Sequence, residues 1–174
     1  TPKEKKLYLY PDKKADEKIN ALLSKNKISK KDFLVVIHSK PQHKSHEWFQ
    51  DKFALLADSL IKRYNAKVIF SGSEKDINYN NEILSLMKKN AVNMAGTSIS
   101  ELVSLINKAN LVISVDTGTM HVAAALSKPV ISLFGAGNPK IWKPYCNKSF
   151  VIFKENLAHT SCMKHDCYLK GSRY

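Results

Sequence analysis

Apolar and polar positions along this chain follow two periods in turn. Short β-branched runs, FLVVIH (33–38), AKVIFSG (66–72), AVNMAG (91–96), LVISV (111–115) and KPVISLFG (128–135), predict strands. Their near-continuous apolar character is that of strands buried on both faces. SFVIF (149–153) predicts a sixth strand. Between these runs the spacing changes to helical. In EWFQDKFALLADSLIKRY (47–64), Trp48, Phe49, Phe53, Leu56, Leu60 and Ile61 recur on one helix face. A second helix is expected around 80–89. A third, ELVSLINKA, buries Leu102, Leu105 and Ile106, and SISE (98–101) ahead of it is a capping box, in which Ser98 caps and Glu101 reaches back. MHVAAAL (120–126) predicts a short fourth helix. A weaker helical pattern covers 15–23, within a Lys-rich lead-in segment, 1–31.

Strands alternating with helices predict βαβ units and a parallel sheet. The expected fold is α/β: a Rossmann-like sheet with helices on both faces and a ligand site at the carboxyl ends of its strands. A length of 174 residues suits one domain. No apolar run approaches the roughly 18 residues that span a bilayer. The start, TPKEKKLYLYPDKKADEK, lacks the apolar region of a secretory signal. Both features lead to the expectation of a cytoplasmic domain.

Charge narrows the choice of partner. Lys and Arg number 28 against 15 Asp and Glu, a formal net charge of +13. That balance favours polyanions: phosphorylated substrates, an anionic membrane surface, or nucleic acid. Arg occurs only at Arg63 and Arg173, whereas readers of base edges lean on Arg, and no stripe of aromatic residues interleaves the basic ones. No nucleic-acid partner is therefore expected, and a basic nucleic-acid-binding domain is kept as the second alternative. The three cysteines, Cys146, Cys162 and Cys167, an odd count in a chain with enough core, are not expected to form a disulfide framework.

The candidate chemistry concentrates in SVDTGTMHVAAALSKPVISLFG (114–135). Asp116, Thr117, Gly118 and Thr119 fall between a strand and a helix, where free N–H groups and the helix dipole favour a phosphate. Gly118 lets a ligand approach the backbone, Thr117 and Thr119 offer hydroxyls, and His121 can donate to a phosphate or sugar oxygen. Asp116 would repel a phosphate. It suits sugar hydroxyls, or else a plain N-cap. SGSEKD (71–76) places Asp76 at another strand end, where an acid can reach ribose hydroxyls, although a solvated turn is an equal reading. GAGNP (135–139) is expected to be a flexible loop.

These segments resemble the donor-binding half of the ADP-heptose:lipopolysaccharide heptosyltransferases, glycosyltransferase family nine. The resemblance rests on Asp-Thr-Gly-x-x-His-x-x-Ala-Ala at 116–125, the following Lys-Pro and the strand ending Phe-Gly. FSGSEKD and EWFQDKFALLADSL add to it, the latter with Phe49 where the family usually has proline. HTSCMKHDC (159–167) is similar to the late cysteine segment of the heptosyltransferase II type, with His159 in place of its first cysteine. The resemblance implies one half of a two-domain GT-B enzyme. The 174 residues would be the carboxy-terminal, nucleotide-sugar domain, with the amino-terminal acceptor domain and its catalytic aspartate absent. It also implies metal-independent transfer of heptose from ADP-heptose, without a cofactor, to the lipid A–core acceptor, at or near the anionic inner membrane. Asp116, Thr117, Gly118, Thr119 and His121 would hold the diphosphate and heptose, Asp76 would lie near the ribose, and Ser39 and Thr97 would line the adenine and ribose pocket. The family lysine that neutralises the leaving diphosphate falls on His46, with Lys44 the nearest basic replacement. Another GT-B nucleotide-sugar enzyme, such as an epimerase, is the first alternative. A zinc site on His159, Cys162, His165 and Cys167 is a rival reading of the cysteine segment.

Overall fold

In a computed structural model, residues 7–43 and 46–154 are described. Six parallel strands form one sheet, β1 (Leu34–His38), β2 (Lys67–Gly72), β3 (Val92–Ala95), β4 (Leu111–Val115), β5 (Val130–Phe134) and β6 (Ser149–Phe153). Their order is β3-β2-β1-β4-β5-β6. The chain thus winds outward from β1 in one direction, then returns past it to β4 and winds the other way. The reversal leaves a crevice beyond the carboxyl ends of β1 and β4, where doubly wound sheets bind ligands.

The helices are α1 (Lys13–Lys25), α2 (Gln50–Tyr64), α3 (Ile77–Leu86), α4 (Ile99–Lys108), α5 (Gly118–Ala125) and α6 (Pro139–Trp142). They cover both faces. On one, Ile19 and Leu23 of α1, Leu105 and Ile106 of α4, and Met120 and Ala123 of α5 pack on Val36, Ile69, Val112 and Val130. On the other, Phe53 and Ala57 of α2 and Ile83 of α3 pack on Val35, Ile37, Phe70 and Val115.

The Lys-rich beginning is part of the body rather than only a lead-in. Asp12 caps α1 by accepting from the Ala15 N–H at 3.0 Å. Lys18 of α1 pairs with Glu101, and Lys108 pairs with Asp16 at 2.7 Å, so the helix is tied to α4 by charge as well as by its apolar stripe. The capping box ahead of α4 is present in both halves.

Helix limits differ from the sequence expectation in α2, which begins at Gln50, in α3 and in α5. α3 starts and ends early. A 3-10 turn, Glu74–Asp76, runs straight into it, and beyond its end Asp58 of α2 takes the N–H groups of Lys88 and Lys89, each at 2.8 Å, out of helical use. α5 begins at Gly118, two residues before the apolar pattern does. The short α6 was not expected, although its signal is visible: Pro139 opens it and Asn138 accepts from the Lys140 N–H at 3.0 Å. Among the described residues no helix is long and apolar enough to cross a membrane.

Candidate functional site

The turn after β4 sits at the reversal of strand order. Thr117 occupies the N-cap position of α5 in extended conformation, and no side-chain hydrogen bond caps the helix. The first turn therefore keeps N–H groups for an outside acceptor. Asp116 is not the cap. Its carboxylate pairs with His46, Oδ2 to Nδ1 at 3.3 Å, and only 11% of its side chain and 17% of the histidine's are exposed. The plain N-cap reading of Asp116 is thereby corrected.

A third segment closes on this pair. A Cβ built on Gly137 would stand 2.0 Å from Asp116 Oδ2 and 3.3 Å from His46 Cε1. Gly137 is buried, so the GAGNP segment packs on the site instead of forming a free loop. Its sequence carried a signal for this, since two glycines at a strand end permit close approach as readily as flexibility. The loops after β1, β4 and β5 thus meet at one place.

The other expected residues have less uniform surroundings. Gly118 is exposed, a Cβ there would meet nothing within 4 Å, and Gly96 is the one glycine with left-handed φ among the described residues. The Thr117 hydroxyl turns back to the strand, 3.1 Å from Ser114 Oγ and donating to the Val115 carbonyl at 3.4 Å. Thr119 is buried and His121 half-buried in the first turn of α5. Ser39 is fully buried and donates to Asn80 Oδ1 at 2.9 Å. Asn80 in turn donates to the Ser71 carbonyl and to Asn93 Oδ1, both at 3.3 Å. Ser39 thus belongs to an internal network that fastens the end of β1 to α3. Asp76 accepts from the Ser73 N–H and hydroxyl, both at 2.8 Å, and lies against Gly72. Thr97, just past β3, has a buried hydroxyl with no partner among the described residues. Lys44 and the segment His159 to Cys167 lie outside the described residues.

One neighbour had not been singled out. His38 ends β1, and in-register pairing sets it in a polar row with Ser71 of β2, Ser114 of β4 and Ser132 of β5. Ser71 Oγ donates to the Ile37 carbonyl at 3.4 Å and lies 3.3 Å from His38 Nδ1. Burial holds this imidazole below its ordinary pKa, opposed by the Asp76 carboxylate. The signal was a histidine ending an otherwise apolar strand.

An open parallel sheet with an uncapped helix N-terminus and a half-buried acid–histidine pair at its switch point is a Rossmann-type α/β arrangement. Residues 3–172 match the family model "Glycosyltransferase family 9 (heptosyltransferase)", and the chain belongs to that family. It is 36% identical over 110 residues to lipooligosaccharide heptosyltransferase 2 of Haemophilus influenzae, covering 60% of this chain and 32% of that protein. The fold is similar to Escherichia coli ADP-heptose lipopolysaccharide heptosyltransferase II, with a TM-score of 0.73, 27% identity, and 83% of this chain on 44% of that one. It is also similar to a family 9 glycosyltransferase of Veillonella parvula, with a TM-score of 0.79 and 23% identity over 84% of this chain and 42% of that one. The chain spans about a third of the length of the curated relatives it matches. Membership of family 9 favours a glycosyltransferase over the epimerase alternative.

Proposed function

We propose that these residues bind ADP-heptose and serve as the donor half of a heptosyltransferase acting on the lipopolysaccharide inner core. The observation that carries this reading is the uncapped start of α5 at the switch point, with Asp116 held beside it. A diphosphate suits the N–H groups and dipole of that first turn. Asp116 faces the sugar, as an acceptor for its hydroxyls. His121 donates to a phosphate oxygen. During transfer the bond from the anomeric carbon to the diphosphate breaks, negative charge grows on the departing oxygen, and fixed donors already in place stabilise it. The reaction in this reading needs no metal or cofactor.

The acceptor is the lipid A–core, and its hydroxyl is deprotonated by the aspartate that the resemblance puts on the other domain. A polypeptide of these 174 residues is therefore expected to bind donor without transferring sugar. Calorimetry with ADP, UDP and GDP tests the reading. ADP should bind with clear preference and ADP-heptose at least as tightly. A preference for UDP, or a nucleotide located away from the ends of β1 and β4, would overturn it.

A further inference from the structure

The β1–α2 loop carries His46 to Asp116, and both ends of that loop rest on one turn of α3. At its start the Ser39 hydroxyl donates to Asn80 Oδ1 at 2.9 Å. The next residue, Lys40, sets its ammonium over the Tyr79 ring, 4.0 Å from the centroid. At the far end Gln50, the first residue of α2, donates through Nε2 to the Tyr79 carbonyl at 3.3 Å and to Glu82 Oε2 at 2.7 Å. Tyr79 itself is buried in the core that α2 and α3 form on the sheet, so it is a firm support for both. It lies on the α2–α3 face, whereas Met120 and Ala123 of α5 pack on the opposite face. Any effect of Tyr79 on the turn before α5 therefore has to travel through the loop.

We propose that Tyr79 is a positioning residue of the donor site: by holding both ends of the β1–α2 loop it sets where His46 meets Asp116, and so the direction in which the Asp116 carboxylate faces the sugar. Fixing the ends of a loop restricts what lies between them, and His46 reaches Asp116 from the middle of this one. The two ends are held by different parts of Tyr79. Lys40 needs the face of an aromatic ring, whose quadrupole attracts the cation. Gln50 needs the backbone carbonyl, which any residue at this position would supply. Releasing the first end thus takes a change of the Tyr79 side chain, and releasing the second takes a change at Gln50. Either release should act unequally on the two parts of the donor. The N–H groups at the start of α5 belong to the helix and stay where they are. The direction of Asp116 depends on its partner from the loop, and a small misplacement of a group that orients a ligand is costly. Loosening the loop should cost contacts to the sugar and spare those to the diphosphate.

The inference rests on the proposed donor site, and its test separates the two. Calorimetry measures the affinity of the 174-residue chain and its variants for ADP and for ADP-heptose. Tyr79→Leu keeps an apolar side chain in the core and removes the ring face. It should weaken ADP-heptose binding about fivefold, the worth of one partly exposed cation–π contact, and leave ADP binding nearly unchanged. Tyr79→Phe keeps the ring and should restore native affinity for both. Lys40→Met added to Tyr79→Leu should cause no further loss, because the contact it removes is already gone. Gln50→Met changes a half-buried side chain whose amide bonds to α3. It should weaken ADP-heptose selectively in the same way, and it carries the test alone should Tyr79→Leu not fold. Ile83→Val, in the same helix and core, is the control for stability: melting temperature should fall and neither affinity should move. Native ADP-heptose affinity in Gln50→Met or in folded Tyr79→Leu, or equal losses for ADP and ADP-heptose, would overturn this inference and leave the donor site standing. Absence of binding of either nucleotide to the native chain, folded by circular dichroism, would overturn both.

Discussion

At the residue scale, His121 and Gly118 separate ligand binding from stability. His121 lies in the first turn of an uncapped helix. Replacing it with alanine removes one charge-assisted hydrogen bond to a phosphate, worth about 1.5–3 kcal/mol or roughly 10- to 150-fold in affinity. Gly118→Ala isolates the backbone instead. Among the described residues a Cβ there has no neighbour within 4 Å outside its own helix turn, and alanine is the better helix former by up to about 1 kcal/mol. Melting temperature should hold or rise while ADP affinity falls, because the methyl lies in open space on the side where the proposed diphosphate approaches. Asp116→Asn should lower affinity for ADP-heptose and raise that for ADP, since a neutral amide neither repels a diphosphate nor accepts as strongly from sugar hydroxyls. Titration of the three variants against both ligands, with a thermal melt of each, checks all of this. Unchanged ADP affinity in His121→Ala would remove its phosphate role. At this scale the sequence shows which side chains stand at a strand end, but not what each touches. Ser39 is committed to Asn80, and Asp116 to a histidine on a different loop. Such pairings are decided by the tertiary approach of segments far apart in the chain, and no local spacing encodes them.

At the scale of elements, the strands were legible because parallel strands buried on both faces must be apolar throughout. The start of α4 was legible because its capping box is local chemistry. The limits of α3 were not, because Asp58 of a different helix ends it. The coupling of β1 to β2 through His38 gives a test at this scale. Burial lowers the folded pKa of His38 from 6.5, so the unfolded chain binds a proton that the folded chain resists. Stability contributed by the neutral imidazole is complete above pH 6.5 and is lost as pH falls below it, toward the lowered folded value. His38→Gln cannot titrate. Its melting temperature should decline less than that of the native chain between pH 7 and pH 5, even if it starts lower. Parallel curves for the two proteins would show that His38 is not the group responsible.

At the scale of the whole molecule, the +13 charge needs a location before it can be given a purpose. Some of the lysines are internal ties, as Lys18 and Lys108 are to Glu101 and Asp16. Lys128 is crowded by Lys148 and by Lys108. Burial lowers the pKa of Lys128, and the nearby charges of Lys148 and Lys108 add to the effect. Lys128 and Lys148 precede β5 and β6, and Lys108 ends α4, so this cluster lies at the amino edge of the sheet, opposite the donor site. Charge there does little for a diphosphate at the carboxyl edge. It suits a planar anionic surface, where each lysine contributes about 1 kcal/mol. If that is its use, the domain rests on the membrane through the amino edge and keeps the donor crevice open. Reversing Lys128 and Lys148 to Glu should then sharply reduce co-sedimentation with phosphatidylserine-containing vesicles at low salt and leave ADP affinity unaltered. Binding by the native chain should fade toward physiological ionic strength, where screening shortens to about 8 Å. A native chain that ignores anionic vesicles at low salt, or that prefers duplex DNA to them, would mean that the basic surface serves something other than the membrane.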